Sequence, residues 1–167
     1  MHKKIAKNQT MKIELWVTGK TAFSYLDEGI ALYVKRLERY IPFQMTVFSD
    51  VKNAKNMSPD ILKQKECEQL LAKFTKDDVV YLFDERGKQY TSVEFATFID
   101  KQMSQSVKRL IFVIGGAYGF SDEFYARANG QLSLSKMTFS HQMIRLFAVE
   151  QVYRAMTILK GEPYHNE

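Results

Sequence analysis

From Lys12 onward, short runs rich in β-branched and aromatic residues alternate with longer stretches whose apolar residues recur every three or four positions. That alternation leaves few folds open. A strand, an amphipathic helix and a second strand make the βαβ unit, which packs as a mostly parallel sheet with helices on both faces, an α/β domain. Residues 12–18, 43–49, 79–83 and 110–114 read as strands, and 131–135 as a weaker fifth. Between them, Phe23, Leu26, Ile30, Val34 and Leu37 make one helical face, with Lys35, Arg36 and Arg39 toward water. Ser58-Pro59 places a capping hydroxyl and then a proline at the start of a helix carrying Ile61, Leu62, Leu70 and Leu71 to about Phe74. Thr91 and Glu94 have the spacing of a capping box ahead of Phe95, Phe98 and Ile99. Ser121 is placed to cap a short helix with Phe124, Tyr125 and Ala128. A last long helix spans about 140–159, with Ile144, Phe147, Ala148, Gln151, Val152, Ala155, Ile158 and Leu159 on its apolar side, and Gly161 and Pro163 end it.

At 167 residues the chain can bury roughly 70% of its unfolded surface in one domain without disulfides or metals. Hydrophobic residues at 46% and charged at 26%, with 8 Gly and 3 Pro, exclude disordered and collagen-like classes. The single Cys67 excludes an internal disulfide and a multi-cysteine zinc site, and points to a reducing, cytoplasmic setting. The longest apolar stretch, 110–120, is broken by Gly115, Gly116 and Gly119 and is too short to span a bilayer, so no membrane partner is expected. The net charge of +5 is a weak argument for nucleic acid. Removing Lys3, Lys4 and Lys7 from the 24 Lys and Arg leaves 21 against 19 Asp and Glu, a net of +2. Those lysines lie in residues 1–10, which read as an upstream or vector-derived extension, with Met11-Lys12-Ile13 as a natural start and 11–167 as a single domain.

Ligands of parallel sheets bind at the carboxyl ends of the strands, where Gly115-Gly116 falls. Glycine there brings backbone amides close to a ligand, but for a lone Gly-Gly a tight turn requiring positive φ is the commoner explanation. Neither a dinucleotide fingerprint nor a Walker lysine accompanies it. Leu132-Ser133-Leu134-Ser135-Lys136-Met137-Thr138-Phe139-Ser140-His141 alternates leucine and serine, then becomes a short polar loop whose exposed backbone could read an adenine edge. An amphipathic strand followed by a capped helix accounts for it too. His141 would stand in the first turn of that helix, and a neutral imidazole there could serve as a base. Glu150 and Arg154 have the spacing of a helical ion pair. Arg145 and Arg154 are nearly half a turn out of phase, so one of them is free to face a second subunit. The tail Glu162-Pro163-Tyr164-His165 could fray or stack on bases. Asp84 and Glu85 assemble no metal or hydrolytic constellation.

Taken in order, Val113-Ile114-Gly115-Gly116, Leu132 to Phe139, His141 with Arg145, Glu150-Gln151-Val152-Tyr153-Arg154-Ala155 and Pro163-Tyr164-His165 resemble the ribosomal RNA large subunit methyltransferase H family, from Met11 to His165. The resemblance implies the SPOUT class, whose C-terminal part is threaded into a trefoil knot and whose subunits form a homodimer through it. Periodicity does not yield a knot, and the general rule disfavours one. It further implies S-adenosylmethionine as donor, no metal, and N3 of a pseudouridine in 23S rRNA of the assembled ribosome as acceptor.

Carried onto this chain, the resemblance places the donor among Phe83, Gly115, Gly116, Leu134, Ser135, Lys136, Met137, Thr138 and Phe139. It makes His141 the base, Arg154 the stabilising cation reaching from the partner subunit, and Arg145, Tyr153, Tyr164 and His165 the residues that meet RNA. The chain ends in Asn166 and Glu167 where relatives often carry a basic residue, and Tyr118 is bulky beside the glycine pair. Three other readings remain at this stage: the same donor with another RNA, a ribosome-binding module without catalysis, and a flavodoxin-like nucleotide binder. The last lacks a phosphate loop.

Overall fold

The computed structural model describes residues 10–166; residues 1–9, most of the leader, and residue 167 lie outside the described residues. Five strands, β1 (Lys12–Thr18), β2 (Phe43–Phe48), β3 (Val79–Gln89), β4 (Arg109–Ile114) and β5 (Gly130–Ser133), form one sheet. Their order is β2-β1-β4-β3-β5 and every pairing is parallel. The helices between them are α1 (Ser24–Leu37), α2 (Pro59–Leu71), α3 (Ser92–Ser104), α4 (Asp122–Arg127) and α5 (Met143–Leu159).

Side chains alternate across a strand, so each strand feeds two cores. Ile13, Leu15, Val17, Leu110, Phe112 and Ile114 meet α1, α3 and α5 on one face. Trp16, Val80, Leu82, Ile111 and Val113 meet α2 and α4 on the other, through Cys67, Leu70 and Phe124. The central β4 is buried from Leu110 to Ile114, which is why its sequence is an unbroken apolar run. Helix starts follow the local chemistry. Ser58 Oγ accepts the Ile61 amide ahead of α2, and Ser121 Oγ accepts the Phe124 amide ahead of α4, both at 3.3 Å. Thr91 and Glu94 exchange hydrogen bonds of 3.1 and 2.7 Å at the start of α3.

Several boundaries differ from the periodic reading. Helix α2 ends at Leu71, and Phe74 folds back to stack on Trp16 with ring centroids 4.7 Å apart. Phe23 stands just before α1, half exposed rather than in the core. Arg36 is half-buried, not directed to water. Strand β5 stops at Ser133, while β3 runs six residues beyond Phe83. Helix α5 starts at Met143, because Ser140 Oγ takes the Met143 amide at 3.1 Å and His141-Gln142 form the preceding turn.

At the amino ends of the strands, Arg109 grips Asp78 through Nε and Nη2 at 2.7 and 2.6 Å, and Trp16 Nε1 donates to Glu14 at 2.6 Å. Burial pushes the Asp78 carboxyl up, but Arg109 and the Thr75 amide bring it below its ordinary value. No helix among the described residues is long and apolar enough to cross a membrane.

Candidate active site

Phe83 to Arg86 within β3 and the loops after β4 and β5 enclose a cavity of about 760 Å3 at the carboxyl edge of the sheet. That volume suits a nucleoside-sized ligand. The cavity lies over β4, β3 and β5, to one side of the β1/β4 junction where the strand order reverses. Phe83, Gly115, Gly116, Leu134, Ser135, Met137, Thr138 and Phe139 line it, and so does His141. Lys136 is exposed and does not line it.

Neither glycine of the pair has positive φ, unlike Gly19, Gly119 and Gly161; each lies in close contact with a side chain instead. A Cβ on Gly115 would press the Phe120 ring at 3.1–3.3 Å, and one on Gly116 would strike the Glu66 carboxylate. Burial, then Asp50, raises the Glu66 pKa. In the loop after β5, Ser133 Oγ donates to the Ser135 carbonyl at 2.8 Å and Ser135 Oγ accepts the Met137 amide at 2.9 Å. These bonds fix the turn within the loop. Met137 and Phe139 remain exposed at the rim, where Phe139 meets Phe147 of α5 with centroids 5.1 Å apart.

Charged residues absent from the sequence-based list also line the cavity: Lys63, Asp84, Glu85, Arg86 and Asp122. Arg86 donates to the Tyr125 hydroxyl at 2.9 Å, and Tyr125 donates to Asp84. Burial pushes the Asp84 carboxyl up, and hydrogen bonds from Tyr125 and Arg86 bring it below the usual range. The position of Asp84, directly after the apolar run of β3, was the available signal.

The other chemistry-bearing residues gather at the far end of α5. Arg154 donates to Glu150 Oε1 through Nε and Nη2 at 3.1 and 2.7 Å, the helical pair that the spacing predicts. Its guanidinium lies 4.7 Å over the Tyr164 ring, and Nη1 is 3.2 Å from His165 Nδ1. Tyr164 donates to the same Glu150 oxygen at 2.9 Å, meets Tyr33 through the hydroxyls at 3.2 Å, and packs edge-on against Tyr153 at 4.8 Å. Burial, Tyr33 and Glu150 all raise its pKa, so it stays a donor. Tyr40 donates to Glu162 at 2.5 Å and is pushed up to about 12 by that bond. The tail is therefore docked, not frayed.

Met143 and Arg154 are eleven positions apart on the helix, about 16.5 Å at 1.5 Å per residue. Within one chain, the cavity with His141 and the cluster with Arg154 are apart.

Arg145 lies inside the protein, 1% exposed, rather than on a surface that could meet RNA. It donates to the carbonyls of Thr18 (2.8 Å), Gly19 (2.9 Å) and His141 (3.3 Å). Burial lowers its pKa, and Asp50 opposes that shift. Its place in the geometry is to tie the turn after β1 to the turn holding His141.

The family described as "Predicted SPOUT methyltransferase" matches residues 11–165. The ribosomal RNA large subunit methyltransferase H of Parabacteroides distasonis is 54% identical over 157 residues, which is 94% of this chain and 100% of that protein. The protein of that name from Cytophaga hutchinsonii is 52% identical over 156 residues, 93% of this chain and 100% of that one. A fainter likeness relates the fold to the SpoU methyltransferase AviRb of Streptomyces viridochromogenes, solved with the cofactor AdoMet. It has a TM-score of 0.46 and 12% identity, over 92% of this chain and 60% of that one.

Proposed function

The chain belongs to the SPOUT methyltransferases, in the ribosomal RNA large subunit methyltransferase H family, and from that premise we propose that it methylates 23S rRNA with S-adenosylmethionine as donor. The acceptor in this reading is N3 of a pseudouridine, presented by the assembled ribosome. The observation that carries it is the division of labour along α5: a ligand-sized cavity at one end, an arginine–tyrosine–histidine cluster at the other.

The donor fits the cavity's construction. Gly115, Gly116 and the loop from Leu134 to Phe139 offer backbone groups and apolar surface, which suit an adenosine. S-adenosylmethionine, when bound, supplies a methyl group on a sulfonium whose leaving thioether needs no proton. The remaining requirement falls on the acceptor, because pseudouridine N3–H must lose its proton before the nitrogen can form a bond to carbon. His141 takes that proton, since it is exposed at the cavity and its backbone is held by Arg145. Arg154 faces the negative charge left on the base. Tyr153, Tyr164 and His165 hold the RNA around it; Arg145, being buried, acts as scaffold instead.

The length of α5 between His141 and Arg154 supports a reading in which two chains complete each site. A two-fold homodimer places the far end of one α5 against the cavity of its partner. The trefoil knot belongs to this reading as well. With the family comes the ribosome as partner and the cytoplasm as location.

The test is transfer of a labelled methyl group from S-adenosylmethionine to ribosomes lacking this modification, beside naked 23S rRNA and tRNA. Label confined to the assembled particle and mapped to one pseudouridine is the expected result. Label on tRNA or another base would replace the acceptor. Donor binding without transfer to any RNA would favour a ribosome-binding module.

A further inference from the structure

Arg86, Arg109, Arg127, Arg145 and Arg154 each have an oxygen acceptor within the chain. Arg36 and Arg39 have none among the described residues; Arg39 is exposed, whereas Arg36 is half-buried and held in place. Its guanidinium lies 5.4 Å over the Tyr33 ring and 5.7 Å over the Tyr153 ring. Those two rings are 5.6 Å apart, and both touch Tyr164, Tyr33 through its hydroxyl and Tyr153 through its ring edge. Arg36 thus forms one border of the cluster that contains Arg154 and His165.

The carboxylates that reach this cluster are already engaged. Glu150 accepts from Arg154 and Tyr164, and Glu162 accepts from Tyr40. Among the exposed charged residues next to the cluster in the chain, Lys35, Arg39 and Lys160 outnumber Glu38. Cations thus outnumber carboxylates near this aromatic surface, which the chain's small net charge conceals. A guanidinium stacked on aromatic rings keeps its planar N–H edge available, and that edge matches two phosphate oxygens. Adjacent tyrosines provide faces for unstacked bases.

We propose that Arg36 binds a backbone phosphate of the acceptor RNA beside the modified base, with Tyr33 and Tyr153 fixing its guanidinium. The inference deepens the proposed rRNA reading and rests on it. Nothing else in the described fold occupies the group, and its geometry favours a fork-shaped anion over a point contact.

Binding of the full chain to ribosomes lacking the modification, measured across a salt series, reads this contact. Each neutralised phosphate contributes about 0.7–0.9 to the slope of log K against log salt. Arg36→Gln is expected to flatten the slope by about that much and to raise the KM for ribosomes, with donor affinity unchanged. Arg36→Lys should keep the slope and lose part of the affinity, because it retains the charge without the planar fork. Unchanged donor affinity in both variants shows that the fold is intact. An unchanged slope in Arg36→Gln, with ribosome binding by the unaltered chain, would overturn this inference alone. An altered oligomeric state with an unchanged slope would do the same and assign Arg36 to a chain–chain contact. No ribosome binding by the unaltered chain would overturn the rRNA reading and this contact with it.

Discussion

Arg145 shows how far a residue's surroundings can depart from its apparent place in a periodic pattern. Its spacing on the last helix marks it as polar and available, but its position opposite the end of β1 puts it under the Thr18 and Gly19 carbonyls. Those carbonyls lie at the end of a strand, and a long multivalent donor can reach both of them from α5. Arg145→Met should lower unfolding stability by about 2–4 kcal/mol, from lost charged hydrogen bonds, in a urea titration. It should also weaken methyl transfer through misplacement of His141, with a smaller effect on donor affinity. The glycine pair was legible as a candidate site because it sits where a strand must end, and the 132–141 segment because its leucine–serine alternation gives way to a polar loop, whereas Phe83 came only with the family resemblance, and β3 runs on past it. Asp84 and Arg86 were not legible, because their partner Tyr125 is 41 and 39 residues away and no local spacing reveals that triad.

The elements were largely legible where local chemistry and tertiary packing agree. The caps at Ser58, Thr91 and Ser121 each open the helix they predict. The extension of β3 was hidden, because Asp84-Glu85-Arg86-Gly87 has the composition of a turn. Instead the strand skips a stretch and resumes, so that Leu132 of β5 is paired with both Phe83 and Lys88. Gly87 crosses directly over Leu132: a Cβ there would come within 2.5–2.6 Å of three backbone atoms. Backbone cannot yield as a flexible side chain does. Gly87→Ala should therefore destabilise the protein by about 1–3 kcal/mol. Because Asp84 to Arg86 and Leu132 to Ser135 line the cavity, donor affinity in a calorimetric titration should fall as well. The tail was hidden for another reason. Tyr164 docks on Tyr33 and Tyr153, residues of two different helices, and a four-residue segment carries no periodicity to announce that contact.

At the scale of the whole molecule, the α/β class and the placement of helices on both faces followed from the βα alternation, whereas strand order depends on pairings between distant segments. The opposite edge of the sheet from the cavity is held by the Asp78–Arg109 pair, and its energetics are linked to pH. The folded-state pKa of Asp78 lies below the ordinary 3.8. Its contribution is therefore fully present above that value and is lost as pH falls through the folded pKa. Asp78→Asn should lower the urea midpoint at pH 7, by about 1–3 kcal/mol in stability, and the difference from the unaltered protein should shrink at acidic pH. An equal difference at both values would remove the ion pair from the account.

The central claim is that each active site draws on two chains, His141 with the cavity from one and Arg154 with the tail from the other. Subunit complementation tests it most directly. His141→Ala and Arg154→Ala should each lose on the order of 100-fold or more in turnover while still binding donor. Mixed under conditions that exchange subunits, they should form heterodimers in which one site carries both substitutions and the other carries neither. Random exchange then predicts recovery to about a quarter of the unaltered activity. Activity that stays at the level of the separate variants, despite verified heterodimers, would show that one chain supplies both residues and would contradict the account.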